Sequence, residues 1–201
     1  MEFGVIRHAR TAWNLEKRIQ GKTDMPLCDQ GIMQAENWAA HLADSGFEIV
    51  VSSAMQRALQ TAVIIADHLK LDLRKQEGLI EQDFGDWEGK RLNELSKNNP
   101  EEIRVQEARG WDFEPPGGES RCTVLKRVEQ ALEQLEKLYY AKKLLIVTHS
   151  SVMKIIVYHA LNRKFLPGEK RVLKDYHLHL LDFEKSILIK QLNAVDLEKG
   201  K

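Results

Sequence analysis

The feature that most limits how this chain can fold is an alternation. Apolar runs at 2–6, in "FEIVVSS" (47–53) and in "KLLIVTH" (143–149) read as buried strands. Between and after them the apolar residues recur at helical spacing. Ile32, Ala35, Ala39 and Leu42 form one such stripe, with Gly46 suited to the C-terminal cap. Met55, Ala58, Leu59, Ala62, Ala66 and Leu69 form another, and Val124, Val128, Ala131, Leu135 and Leu138 a third. Residues 151–161 make a further helix, and a short strand is expected near 73–76. Strands alternating with helices build an α/β fold with a mostly parallel central sheet and helices on both faces. "HLHLLDF" and "SILIKQL" read as a closing hairpin, and the polar tail after Asn193 as loose. From about 84 to 120 the periodicity fails, and "PPGGES" (115–120) is loop chemistry, so this segment reads as a small cap-like insert.

In such sheets ligands sit beyond the carboxyl ends of the strands. Three strand ends here deliver chemistry: His8 follows the first, Ser52 and Ser53 lead from the second to Arg57, and His149 ends the strand "LLIVT". The first of these, "VIRHARTAWN" (5–14), places Arg7 and Arg10 around His8. Arginines beside a histidine oppose its protonation, a packed core has no use for them, and an anion site does.

The bulk numbers fit that local reading. The chain has 201 residues, expected to form one domain spanning 1–201, with 30 basic and 30 acidic residues. A formal net charge of zero gives no bulk attraction to nucleic acid or to an anionic membrane, so an anion site must be built locally. No apolar run approaches the roughly 18 residues of a membrane span. Cys28 and Cys122 make neither a disulfide framework nor a metal knuckle. "MEFGVIRHAR" lacks a signal-peptide apolar region, so the expected setting is cytoplasmic. "GKT" at 21–23 is no P-loop, because the required earlier glycine is Glu16. His177 and His179 share a strand face without a third ligand nearby, which favours a solvated face over a metal site.

Taken together, the spacing resembles one family. "RHARTAWNLEKRIQGKTDMPLCDQGIMQA" is similar to the opening motif of the histidine phosphatase superfamily, the phosphoglycerate-mutase-like fold. "SSAMQRALQTA", "LIEQDFGDWEG", "PPGGES" and "VTHSSVMK" resemble its later motifs, in the same order, over residue 3 to about 157. The resemblance implies a histidine acid-type phosphatase, a phosphoric monoester hydrolase needing no metal or cofactor. His8 would be the nucleophile that becomes phosphorylated. Arg7, Asn14, Arg57 and His149 would hold the phosphoryl oxygens, with Ser150 near the phosphate. Gln20 and Gly21 would line the substrate pocket, and Glu81 would protonate the leaving oxygen. The implied partner is a small phosphorylated metabolite, with α-ribazole 5′-phosphate as one candidate, and with a homodimer left open. Phosphoglycerate-mutase-type phosphoryl transfer and non-catalytic phosphate binding are the alternatives. The acidic, aromatic "GWDFEPPGGES" suits a hydrolase better than a mutase. Ala9 stands where the family has glycine, and Ser150 and Ser151 stand where it usually has glycines. Arg10 also departs from the pattern, and is expected either to add a third arginine at the mouth or to pair with a carboxylate such as Glu16.

Overall fold

The computed structural model describes residues 1–199. Its elements run β1 (Glu2–Arg7), α1 (Ala12–Leu15), α2 (Asp29–Leu42), β2 (Ile49–Ser53), α3 (Gln56–Leu69) and β3 (Asp72–Gln76). They continue with α4 (Leu92–Asn98), α5 (Pro100–Ala108), α6 (Arg121–Tyr139), β4 (Lys143–Thr148), α7 (Ser150–Ala160), β5 (His177–Glu184) and β6 (Ser186–Asp196). The six strands form one sheet in the order β3-β2-β4-β1-β5-β6. The β3–β2, β2–β4 and β4–β1 pairs are parallel, whereas β5 and β6 close the far edge antiparallel.

The alternation in the strands fixes the layering. Successive side chains of a strand point to opposite faces. Val5, Leu144 and Ile146 therefore join one core with Val124, Val128, Leu132 and Ile156 of α6 and α7. Ile6, Leu145 and Val147 join the other, with Trp38 and Leu42 of α2 and Ala58, Ala62 and Ile65 of α3. Helices thus cover both faces, as the alternation predicts. The register pairs Arg7 with Thr148 and Ser52 with Val147, so β2, β4 and β1 end side by side. The residues that follow those ends share one rim of the sheet.

Several expectations need correction. The segment without periodicity holds two helices, α4 and α5. Leu95 is the buried residue of α4 and α5 buries none, so no stripe was there to read. Trp87, Leu95 and Phe113 form a small core of their own beside the main ones. The tail after Asn193 is not loose as far as Lys199, and its last two residues lie outside the described ones. β6 runs to Asp196, Leu197 is fully buried, and Glu198 accepts hydrogen bonds from Gln34, Trp38 and Arg10. His179 does not face solvent. A register irregularity between Leu178 and Leu180 sets it inside the sheet, where its Nδ1 accepts from the Asn193 amide at 3.0 Å. Among the described residues no three His, Cys, Asp or Glu side chains are grouped to hold a metal, and no helix is long and apolar enough to cross a membrane.

Candidate active site

The rim of β1, β4 and β2 opens into a cavity of about 390 Å³. Arg7, His8, Arg57, Glu81, Asn14, Gln20, Gly21 and Ser150 all line it. His149 lies beside this floor, fully buried, with its ring centroid 5.2 Å from that of His8. Every site residue predicted from the sequence is therefore at one place.

His8 is held in one tautomer. Its Nδ1 lies 2.7 Å from the Ala9 carbonyl, which can only accept, so Nδ1 carries the proton and Nε2 keeps its lone pair. Burial, then Arg7 and Arg57, hold the His8 pKa well below the usual imidazole range. The result is a neutral imidazole among cations, which is the state in which it can act as a nucleophile. Ala9 is compatible with this turn: its backbone has negative φ, and its amide donates to Thr61 Oγ1 at 3.0 Å.

Around His8 lie nitrogen donors without acceptors. Arg7 Nε, Arg57 Nε and His149 Nδ1 are buried and have no hydrogen-bond partner among the described residues. Arg57 is fully buried, and its other nitrogens donate to the Thr23 carbonyl at 2.9 Å and the Gly21 carbonyl at 2.7 Å. Those bonds aim the fork while leaving Nε for a ligand. His149 Nε2 sits 2.7 Å from Ser53 Oγ. Ser53 Oγ also lies 3.4 Å from the Met55 amide, so its own proton is free to go to Nε2, which leaves N–H on Nδ1. Burial, then Arg57 and His8, push the His149 pKa well down as well. A buried donor left unpaired costs about 1–3 kcal/mol, and a tetrahedral oxyanion would satisfy several together.

Glu81 is nearly buried. Its Oε1 accepts from the Gln82 amide at 2.9 Å and its Oε2 from the Ser151 amide, in the first turn of α7, at 3.4 Å. Asn14 and Gln20 turn their carbonyl oxygens inward to Thr11, with Asn14 Oδ1 3.1 Å and Gln20 Oε1 3.1 Å from Thr11 Oγ1. Their amide NH₂ groups are left as donors.

Supporting residues escaped the sequence reading. Arg127 of α6 donates to the carbonyls of Gly78, Ile80 and Glu81 and forms a two-point pair with Glu119. It therefore clamps the segment carrying Glu81, and "GGES" supplies the carboxylate that orients it. A Cβ on Gly118 would lie 2.5 Å from the Asp83 carbonyl oxygen, so the close approach of these two loops requires glycine. Glu88 accepts from the amides of Lys22 and Thr23, fixing the loop whose carbonyls hold Arg57. Arg127, half-buried and flanked by apolar residues at helical spacing, is the available signal. Arg10, by contrast, leaves the site. It stacks on Tyr176, 5.0 Å from the ring centroid, and pairs with Glu198 at 3.3 Å, while Glu16 pairs with Arg18.

The three buried imidazoles set a pH dependence for folding. His8 and His149 are shifted well down, and burial takes His179 to about 4. In the unfolded chain each titrates near 6.5. Below that pH the unfolded state binds protons that the folded state refuses, so stability falls as pH falls, by up to about 1.4 kcal/mol per pH unit for each imidazole. Urea midpoints should be level above pH 7.5 and drop steeply between 6.5 and 5. A flat profile across that window would mean these rings are protonated in the fold.

A family model described as histidine phosphatase superfamily (branch 1) matches residues 3–193. The chain belongs to that superfamily. Its relatives place it in the phosphatase branch. It is 34% identical over 149 residues to an uncharacterized phosphatase, PhoE, of Bacillus subtilis, covering 74% of this chain and 72% of that one. It is 33% identical over 152 residues to phosphoserine phosphatase 1 of Hydrogenobacter thermophilus, covering 75% and 71%. The crystal structure of the α-ribazole phosphatase from Shigella flexneri matches with a TM-score of 0.79 at 25% identity, over 96% of both chains. The fold is that of this superfamily.

Proposed function

We propose that this chain is a metal-independent phosphomonoester hydrolase acting through a phosphohistidine on a small phosphorylated metabolite. The observation that carries the reading is the neutral His8 ringed by the unpartnered donors of Arg7, Arg57 and His149. His8 Nε2 attacks phosphorus as the P–O ester bond breaks, and Glu81 gives the leaving oxygen its proton. Glu81, now a carboxylate, takes a proton from water as that water attacks the phosphohistidine. The P–N bond breaks, and phosphate leaves with His8 neutral again. Arg7 and Arg57 stabilise charge on the equatorial oxygens, and Asn14, Gln20 and Ser150 complete the cradle.

A non-catalytic binder would have no use for a nucleophile and a carboxylate in one pocket. For the substrate, the likeness to the Shigella enzyme and the aromatic wall support α-ribazole 5′-phosphate, whereas the phosphoserine phosphatase relative supports an amino-acid phosphate. The mutase reading draws on Arg121 and Lys154, which also line the cavity. Against it, Arg104 and Arg109 of the 84–120 segment are engaged with Glu101 and Gln106 at the surface.

The test is a screen of phosphorylated metabolites on purified protein, with and without exhaustive chelation. Because arginines supply the positive charge, hydrolysis should survive chelation. Loss of activity with rescue by a divalent ion would overturn the mechanism. With 3-phosphoglycerate, a hydrolase releases inorganic phosphate and a mutase produces 2-phosphoglycerate, which phosphorus NMR separates.

A further inference from the structure

The cavity has cations that phosphate capture does not use. Arg121, the first residue of α6, lines it with a guanidinium held between two rings, 4.1 Å from the Phe113 centroid and 4.3 Å from that of Phe165. One N–H donates to the Gly110 carbonyl at 2.8 Å. A guanidinium has five donors, and the other four find no protein acceptor among the described residues. Nor does Arg121 form an ion pair there. Glu107, on the same cavity wall, acts on it only through space. Burial pulls the Arg121 pKa down to about 10, which still leaves it charged at neutral pH. Lys154 lies one helical turn beyond Ser150 on α7, lines the same cavity, and likewise has no ion-pair partner among the described residues. Arg18, the remaining arginine of the wall, is neutralised by Glu16 at 2.6 Å.

Both Arg121 and Lys154 also line an adjoining lobe of about 420 Å³, together with Ser150 and Phe165. Much of the remaining wall is apolar, with Phe84, Trp87, Ile103 and Phe113. A cation fixed between aromatic faces is pre-organised, so little freedom is lost when it grips a ligand.

We propose that Arg121 and Lys154 form a subsite for a second anionic group, so that the preferred substrate is a phosphomonoester carrying a carboxylate or a further phosphate beyond an apolar segment. This rests on the hydrolase reading above. It ranks α-ribazole 5′-phosphate, which ends in a neutral aromatic ring, below phosphates that end in an anion. The competing role for Arg121 is mechanical: it ties the Gly110 turn to the Phe165 loop.

The experiment is competitive inhibition of p-nitrophenyl phosphate hydrolysis by alkylphosphonates of two to six carbons. Each ends in a carboxylate, in the matching primary amide, or in a second phosphonate. In the native chain the carboxylate or the second phosphonate should bind at least roughly tenfold tighter than the amide at the best length, as a charge-assisted hydrogen bond warrants. Whichever wins names the anion. Arg121→Met should cut that ratio severalfold, removing Lys154 as well (Lys154→Met) should bring it to about one, and Glu107→Gln, which removes a competing negative charge, should widen it. Equal binding of anion and amide by the native chain would overturn the subsite. So would an unchanged ratio in Arg121→Met, whatever happens to absolute affinity, because a mechanical role weakens both ligands alike. If the native chain hydrolyses no phosphomonoester, the hydrolase reading fails, and calorimetry with the same phosphonates still decides the subsite.

Discussion

Replacing His8 with alanine is expected to abolish turnover on every phosphomonoester, by on the order of 10⁴-fold or more. The size follows from the geometry. His8 presents a lone pair on Nε2 because Nδ1 is committed to the Ala9 carbonyl. Nearby His149 cannot replace it, since its Nε2 is engaged with Ser53 and its pKa shift marks it as equally buried among cations. What survives in His8→Ala is the cradle of Arg7, Arg57 and His149. Inorganic phosphate should therefore still bind, measured by calorimetry, within about tenfold of the native affinity, since His8 makes no charged contact of its own in the neutral state. With labelled substrate, an alkaline denaturing quench should trap a phosphoenzyme in the native chain and none in the variant, because phosphoramidates survive base and not acid. A labelled phosphoenzyme in His8→Ala would move the nucleophile elsewhere, and loss of phosphate binding together with turnover would make His8 a structural residue.

The parts of this site that the sequence discloses are those fixed by local pattern. The apolar runs of β1, β2 and β4 each end on a polar residue with chemistry, and parallel pairing then places those ends together. Strand ends alone single out His8 and His149, whereas the roles of Arg7, Arg57 and Glu81 come from the resemblance of their motifs to a family, because a helix arginine and a loop carboxylate carry no pattern of their own. The supports of the site have none. Arg127 grips carbonyls 46 to 49 residues away, and Glu198 reaches Arg10 across 188 residues. No window of sequence contains both partners of such a bond. The helices α4 and α5 escaped for a different reason. They bury almost nothing on their own, so their residues were under no pressure to repeat at 3.6. His179 was misplaced because strict alternation fails where the register shifts. Arg10 shows the limit of neighbourhood in sequence: two residues from His8, it points to Tyr176 and the C-terminal tail instead.

Glu81→Gln should separate proton donation from mere architecture. Both Glu81 oxygens accept backbone amides, from Gln82 and Ser151, and a glutamine keeps one such acceptor. The variant is therefore expected to fold, since the Arg127 clamp on the Glu81 carbonyl is untouched. Proton donation contributes typically 10²- to 10⁴-fold, or roughly 3–5 kcal/mol of barrier. That contribution is largest when the leaving oxygen is a basic alkoxide, and small for a stable phenolate such as that of p-nitrophenyl phosphate. The phosphorylation step of Glu81→Gln should then fall by roughly 10²-fold or more on alkyl phosphates and far less on the aryl one. Single-turnover rates are needed, because hydrolysis of the phosphohistidine also uses Glu81, as a base, and a slow second step would mask the difference in steady state. In that second step the variant should accumulate phosphoenzyme on the aryl substrate, which the alkaline quench reads directly. Equal fractional losses on both substrates, with no accumulation, would mean that Glu81 positions the α7 amide of Ser151 rather than moving a proton. The proton would then have to come from elsewhere than His149, which burial and the neighbouring arginine keep neutral.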